Sequence, residues 1–228
     1  MRLAVVSDVH GNLPALKAAL TKIRSLGCET LVFLGDAVGY FPEGLACARL
    51  IRETFDHVLM GNHEAMLLGC RPLSEAKDAD YGLGALKPAL SPEDRRRLDG
   101  CPEFLELDLD GRKILCVHGA PDAPLEGYVY PDTPLKPGWG NGYDAVFMGH
   151  THRPFIKQAY GTLFVNAGSC GLPREGGAWS SFAVFDPAGL EAALIRTPLD
   201  IAELLRRYPG VADSVKNHLW ALTGAVKG

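Results

Sequence analysis

Long apolar runs are missing from this chain of 228 residues. A helix that crosses a bilayer needs about 20 consecutive apolar residues, and the opening Arg2-Leu3-Ala4-Val5-Val6 supplies only a few before Ser7 and Asp8 end it. Neither a membrane span nor the apolar stretch of a signal peptide is expected, so the expected location is cytoplasmic. Paired cysteines are missing too. The six cysteines (Cys28, Cys47, Cys70, Cys101, Cys116, Cys170) include no C-x-x-C pair and no secreted-domain spacing, which reads as reduced thiols, most of them small buried hydrophobes. There is no basic excess either, since 23 Lys and Arg stand against 27 Asp and Glu for a formal net charge of -4. That balance repels polyanions at long range and disfavours a protein that tracks along nucleic acid, while leaving room for a small anion gripped by metal ions. No internal repeat or low-complexity tract stands out.

What is present is an ordinary folded composition, 47% hydrophobic and 22% charged, at a length that fits a single domain over residues 1–228. Leu3 to Val6 reads as a buried strand. Asn12, Pro14 and the spaced Leu13, Leu16, Leu20 and Ile23 read as a capped amphipathic helix ending near Gly27. The pattern repeats with a strand at Leu31 to Leu34, a helix from Pro42 to Phe55 and a strand at Val58 to Met60. A βαβαβ opening implies a parallel sheet covered by helices. Leu67 to Arg97 is helical in composition but broken by Pro72, Gly82, Gly84, Pro88 and Pro92, which predicts short helices outside the sheet.

From Phe104 the pattern becomes strand after strand. A hairpin is expected at Phe104 to Leu109 and Lys113 to Val117 around Asp110-Gly111, with further strands at 145–148, 155–159, 162–165, 181–185 and 190–195. These predict a second, antiparallel-leaning sheet packed on the first. The proline-rich stretch 119–142 is too long for a bare connector and is expected to wall the site. One or two amphipathic helices are expected from about residue 198 to 226.

Five of the seven histidines fall just after predicted strands, together with acids and an amide. Asp8 and His10 follow the first strand, Asp36 the second, Asn62 and His63 the third, His118 and the His150/His152 pair two later ones. In open α/β sheets ligands gather at the carboxyl ends of strands, so distant segments are carried to one rim. Neutral imidazole with carboxylate and amide oxygen suits Mn, Fe or Zn, and no thiolate is needed.

Taken in order, Asp8-x-His10, Gly35-Asp36, Gly61-Asn62-His63-Glu64, Val117-His118-Gly119 and Gly149-His150-Thr151-His152 resemble the calcineurin-like metallophosphoesterases over roughly residues 1–170. The resemblance implies an α/β fold, a four-layer αββα sandwich of two mixed sheets flanked by helices. It implies two divalent ions, Mn first and Fe, Zn, Ni or Mg also admissible. One would be held by Asp8, His10, Asp36 and His152, the other by Asp36, Asn62, His118 and His150, with Asp36 bridging. Such a pair would make hydroxide available at neutral pH and clamp phosphate oxygens, and His63 would be the general acid, the bland alternative being that Glu64 merely caps a helix with His63 packed beside it.

Gly35-Asp36-Ala37-Val38-Gly39-Tyr40 lacks the Asp-Arg pair of protein phosphatases and resembles small bacterial and archaeal phosphodiesterases, whose late N-P-G-S motif appears here as Asn166-Ala167-Gly168-Ser169. Arg174 is a candidate phosphate contact and Tyr40 a candidate substrate contact. Aromatics in the proline-rich stretch (Tyr128, Tyr130, Trp139) read first as loop packing. The leading expectation is a phosphodiesterase for a small phosphorylated or nucleotide-like substrate. A dinucleoside polyphosphate hydrolase or phosphomonoesterase is the enzymatic alternative, and a catalytically silent metal-binding scaffold the alternative of another class. No membrane and no long nucleic acid are expected as partners, and the oligomeric state stays open.

Overall fold

In the computed structural model, which describes residues 1–224, strand β1 (Leu3–Val6) is buried along its whole length and its two faces meet different layers. Ala4 and Val6 pack with helix residues, while Leu3 and Val5 pack with residues of a second sheet. Four successive apolar residues are what a strand covered on both faces requires. Helix α1 (Leu13–Ser25) follows; the Asn12 side chain accepts from the Ala15 N–H, Pro14 sits in the first turn, and buried Leu16, Leu20 and Ile23 recur at helical spacing. Strand β2 (Thr30–Phe33), helix α2 (Gly44–Thr54) and strand β3 (His57–Val58) complete the parallel run.

The broken segment resolves into short helices as expected: α3 (Asn62–Leu68), α4 (Glu75–Tyr81), α5 (Leu83–Leu86), a 3-10 turn at Lys87–Ala89, and α6 (Pro92–Asp99). Strands β4 (Phe104–Leu109) and β5 (Arg112–Val117) form the expected hairpin. Then come β6 (Ala145–Met148), β7 (Phe155–Ala159), β8 (Thr162–Asn166), β9 (Trp179–Asp186) and β10 (Glu191–Pro198). Helices α7 (Ile201–Arg207) and α8 (Asp213–Leu222) end the described chain, and the remainder of the helical tail expected to 226 lies partly outside the described residues.

Two mixed sheets result, ordered β10-β9-β1-β2-β3 and β4-β5-β6-β8-β7. Two details depart from the sequence expectation. The β9–β10 hairpin joins the first sheet, β9 running antiparallel to β1, and β5, β6 and β8 are parallel neighbours. The reason lies in β9 itself: Phe182 packs on the helix side while Ala183 and Phe185 pack between the sheets, so this strand needs cover on both faces beside β1. The inter-sheet core is built from residues such as Val5, Val32 and Phe185 against Ile114, Phe147 and Val165. Outside the second sheet, Leu115, Val146 and Phe164 are covered by Val129 and Trp139 of the 119–142 stretch. Strands β1 and β6 sit centrally in their sheets with their ends facing one rim. Among the described residues no helix is long and apolar enough to cross a membrane.

Candidate metal and active site

All seven expected ligands meet at that rim. Asp8 Oδ1 lies 3.1 Å from His152 Nε2 and 3.6 Å from His10 Nε2. Asp36 Oδ2 lies 3.4 Å from His118 Nε2 and 3.8 Å from His10 Nε2, and Asn62 Oδ1 lies 3.0 Å from His118 Nε2. His150 joins Asp36 and His118 in a compact, wholly buried donor group, as Asp8, His10 and His152 do in another. Between the groups stands Asp36, whose Oδ1 accepts the His63 backbone N–H at 2.8 Å and whose Oδ2 faces the histidines.

The backbone is bent to make this possible. Asp8, His10, Asp36, His150 and His152 all adopt left-handed φ values between 52° and 64°. That conformation costs an ordinary L-residue about 1–2 kcal/mol, and its clustering on metal-capable residues marks a functional site. Cross-strand bonds hold the loops in place: His10 N–H to Asp36 O at 2.9 Å, Asp8 N–H to Gly35 O at 3.0 Å, and His150 N–H to Asp8 Oδ2 at 2.9 Å, the last tying one sheet to the other. Asn166 donates to Gly149 O and Ser169 to Asp8 O, so the N-A-G-S stretch braces the ligand loops despite its missing proline.

The donor set calls for cations. His10 and His152 each direct Nδ1 at a backbone carbonyl, Val38 O at 3.1 Å and Leu172 O at 2.5 Å. A carbonyl can only accept, so the protons sit on Nδ1 and both Nε2 atoms carry lone pairs. Those Nε2 atoms are 2.9 Å apart, and the neighbouring Asp8 Oδ1 has no hydrogen-bond partner, nor has His150 Nε2. Burial alone would raise the two carboxyls, yet the facing histidines, His152 for Asp8 and His118 with His63 for Asp36, hold both below the usual range. Burial lowers His150 to about 3 and His152 to about 4, leaving them neutral as ligands must be. His118 is likewise opposed by burial, but Asp36, Asp8 and Glu64 overturn it and push it to about 9. Lone pairs and buried carboxylates facing one another fit divalent ions held by these side chains.

Glu64 does far more than cap a helix. Its carboxylate, 2% exposed, accepts four backbone N–H groups: Oε2 takes Asp36 at 2.8 Å and Gly61 at 3.0 Å, and Oε1 takes Ala37 at 2.8 Å and Val38 at 3.1 Å. It therefore locks the loop that carries Asp36 and, through Val38 O, the orientation of the His10 ring. Gly61 permits the approach, because a Cβ there would stand 2.2 Å from Asp36 Oδ1 and 2.3 Å from Asp36 N.

His63 lies against the cluster with Nε2 3.9 Å from Asp36 Oδ2 and its ring 4.7 Å from that of His10. Burial outweighs the opposing charge of Asp36 and drives it down to about 3, so the ring is neutral. A bound phosphate favours the protonated form. Tyr40 stacks on His63 at 5.2 Å and meets His10 edge-on at 4.8 Å, and Arg174 donates to the Tyr40 hydroxyl at 3.2 Å. Sequence reasoning missed Tyr81, which ends α4 and sits 4.3 Å from the His63 ring; its carbonyl also accepts the Tyr40 N–H. The 67–97 segment thus backs the candidate acid. Of the loop aromatics, Trp139 is packed as expected, whereas Tyr128 is 55% exposed with its ring 4.2 Å from His150.

Two cavities of similar size open beside the cluster. One, about 310 Å³, touches the Asp8–His10–His152 group through Tyr40 and through Arg153, the residue after His152. The other, about 330 Å³, is lined by Asn62, His150, Tyr128, Arg71 and Lys77 beside the Asp36–His118–His150 group.

A two-sheet sandwich with this histidine and aspartate rim defines a metal-dependent phosphoesterase, and a family model of the calcineurin-like phosphoesterase superfamily domain matches residues 1–189: the chain belongs to that family of phosphate ester hydrolases. It is 31% identical to uncharacterized protein MJ0912 of Methanocaldococcus jannaschii, over 95% of this chain and 93% of that one. Phosphodiesterase YfcE of Escherichia coli is 25% identical, over 90% of this chain and 97% of its own. The crystal structure of a metallophosphoesterase from Sphaerobacter thermophilus, 26% identical, matches with a TM-score of 0.78 over 98% of this chain and 99% of that one.

Proposed function

We propose that this protein, as one metallophosphoesterase domain, hydrolyses small phosphate diesters with two divalent ions, Mn first among them. One ion is assigned to Asp8, His10, Asp36 and His152, and the other to Asp36, Asn62, His118 and His150. Diester rather than monoester chemistry is carried by one observation: a cavity stands beside each donor group, so a phosphate at the cluster has room for an organic arm on either side. Relatives named phosphodiesterase at 24–25% identity support the same reading.

Bound divalent ions supply a water of lowered pKa and a clamp on phosphate oxygens. The chain's own residues do the rest. Asp36 spans the two groups with Oδ2 while its Oδ1 stays fixed by the His63 N–H. Glu64 keeps that loop from moving when charge is loaded. His63 donates a proton to the departing oxygen as the bond between phosphorus and that oxygen breaks and the bond to water forms. Tyr40 and Tyr81 pack the imidazole from behind and exclude water from that face. The six unpaired cysteines favour a reducing compartment, in keeping with a cytoplasmic enzyme.

The test compares bis-p-nitrophenyl phosphate with p-nitrophenyl phosphate, each with Mn or with EDTA. We expect Mn-dependent cleavage with kcat/KM favouring the diester by about tenfold or more, the scale of one well-made arm contact. A monoester preference of that size would replace the diester reading.

A further inference from the structure

The family match stops at residue 189, yet the 310 Å³ cavity is lined in part by a helix beyond that point. Ser214, Val215 and His218 of α8 line it. The Ser214 hydroxyl donates to Asp80 Oδ1 at 2.6 Å, joining α8 to α4, and His218 Nε2 donates to Pro173 O at 2.8 Å, joining α8 to the turn that carries Arg174. The Arg174 N–H in turn donates to His152 O at 3.2 Å. Arg174 is thereby anchored between a candidate ligand and the C-terminal helix, with its guanidinium against the Tyr40 hydroxyl.

The charge in this cavity is unbalanced. Arg153 and Arg174 both line it, and among the described residues neither has a carboxylate partner. Several arginines elsewhere do: Arg49, Arg71, Arg112 and Arg196 each lie 2.6 to 3.6 Å from an acid. The sole acid in the lining, Asp80, has one oxygen engaged by Ser214. Two guanidiniums without a carboxylate partner, Arg174 against the Tyr40 hydroxyl and Arg153 over the Tyr130 ring, stand next to the Asp8–His10–His152 group and offer planar, bidentate donors to an anion that the cluster itself does not hold.

We propose that this cavity is a subsite for a second phosphate on the substrate, carried by the arm that leaves the reacting phosphate on the His152 side. The substrate class is then a phosphate diester or anhydride bearing a further phosphate, either branching from a sugar or continuing the phosphate chain. This rests on the phosphodiesterase reading above and narrows it.

Two matched pairs test it with the Mn-loaded full chain. The first is the p-nitrophenyl ester of thymidine 5′-phosphate with and without a 3′-phosphate; the second is diadenosine tetraphosphate against diadenosine diphosphate. For at least one pair, the member with the added phosphate is expected to be preferred about tenfold or more in kcat/KM, the scale of one charge-assisted hydrogen bond. The pair that responds identifies whether the phosphate branches or continues the chain. Arg153→Gln and Arg174→Gln, both at exposed positions where truncation leaves no buried void, should each shrink that preference, and the double variant should bring it near one. Ratios near one in both pairs for the wild type, with the plain diester still cleaved, would overturn the subsite and leave the phosphodiesterase reading standing. Cleavage of neither pair nor of bis-p-nitrophenyl phosphate would remove both. A preference that survives in the double variant would also overturn the assignment.

Discussion

Replacing Glu64 by glutamine keeps the volume of the side chain and removes half of what it does. Each carboxylate oxygen now accepts two backbone N–H groups, Asp36 and Gly61 on one side and Ala37 and Val38 on the other. An amide retains one acceptor oxygen and turns an NH₂ group toward the other pair. Two buried N–H groups are left unpaired at about 1–3 kcal/mol each, a total of about 2–6 kcal/mol. For a chain of this length, 1 kcal/mol corresponds to about 2–4 °C of Tm, so a fall of roughly 4–24 °C is expected. Burial and the charge of Asp36 raise the Glu64 carboxyl to about 7. The comparison therefore belongs at pH 8, above that value, where the wild-type group is ionised. The loop carries Asp36 and orients His10, so Mn affinity should drop along with stability, by about 10–100-fold as for other groups that orient ligands. Calorimetric melting with and without Mn reads both effects. A Glu64→Gln protein that melts within 2 °C of wild type and binds Mn unchanged would refute the clamp.

Two further outcomes follow from the same geometry. His63→Ala should retain metal, since none of the assigned ligand atoms is removed, while kcat on a diester falls by about 10²–10⁴-fold, the usual weight of a positioned proton donor; unchanged kcat would move the proton donor elsewhere. Ion binding should relieve the opposed Nε2 lone pairs of His10 and His152 and satisfy Asp8 Oδ1. With Mn at about 100 times its Kd the native state gains about 2.7 kcal/mol per site, or roughly 5–10 °C in Tm, and EDTA should reverse it; a Tm indifferent to both would count against the donor set.

The candidate ligands were legible in the sequence because each follows a short apolar run that could only be a covered strand, and strand ends converge at a sheet's rim. Asp8, Asp36 and His118 each sit one to three residues past such a run. Pairing between strands was less legible. Local alternation does not say which neighbour a strand will take, so the β9–β10 hairpin was read with the second sheet, although Phe182, Ala183 and Phe185 need cover on both faces and β1 offers it. The clamp at Glu64 was hidden for a similar reason: a glutamate three residues after Gly61 in a helix start reads as a cap, and its contacts to Asp36, Ala37 and Val38 arise only when β2 and β3 lie side by side. Tyr81 gave no signal because the broken 67–97 segment has no periodicity that points toward the site. Arg174 was visible only as a cation in a turn; its tie to His152 and its place beside Arg153 are properties of the fold.

The central claim is that these seven side chains hold two metal ions, and metal content tests it most directly. After loading with Mn and desalting, elemental analysis of the purified chain should find two ions per chain, and Asp36→Asn, which weakens the bridge between both donor groups, should bring that below one. Wild-type protein that keeps well under one ion per chain, or an Asp36→Asn variant that keeps two, would contradict the account.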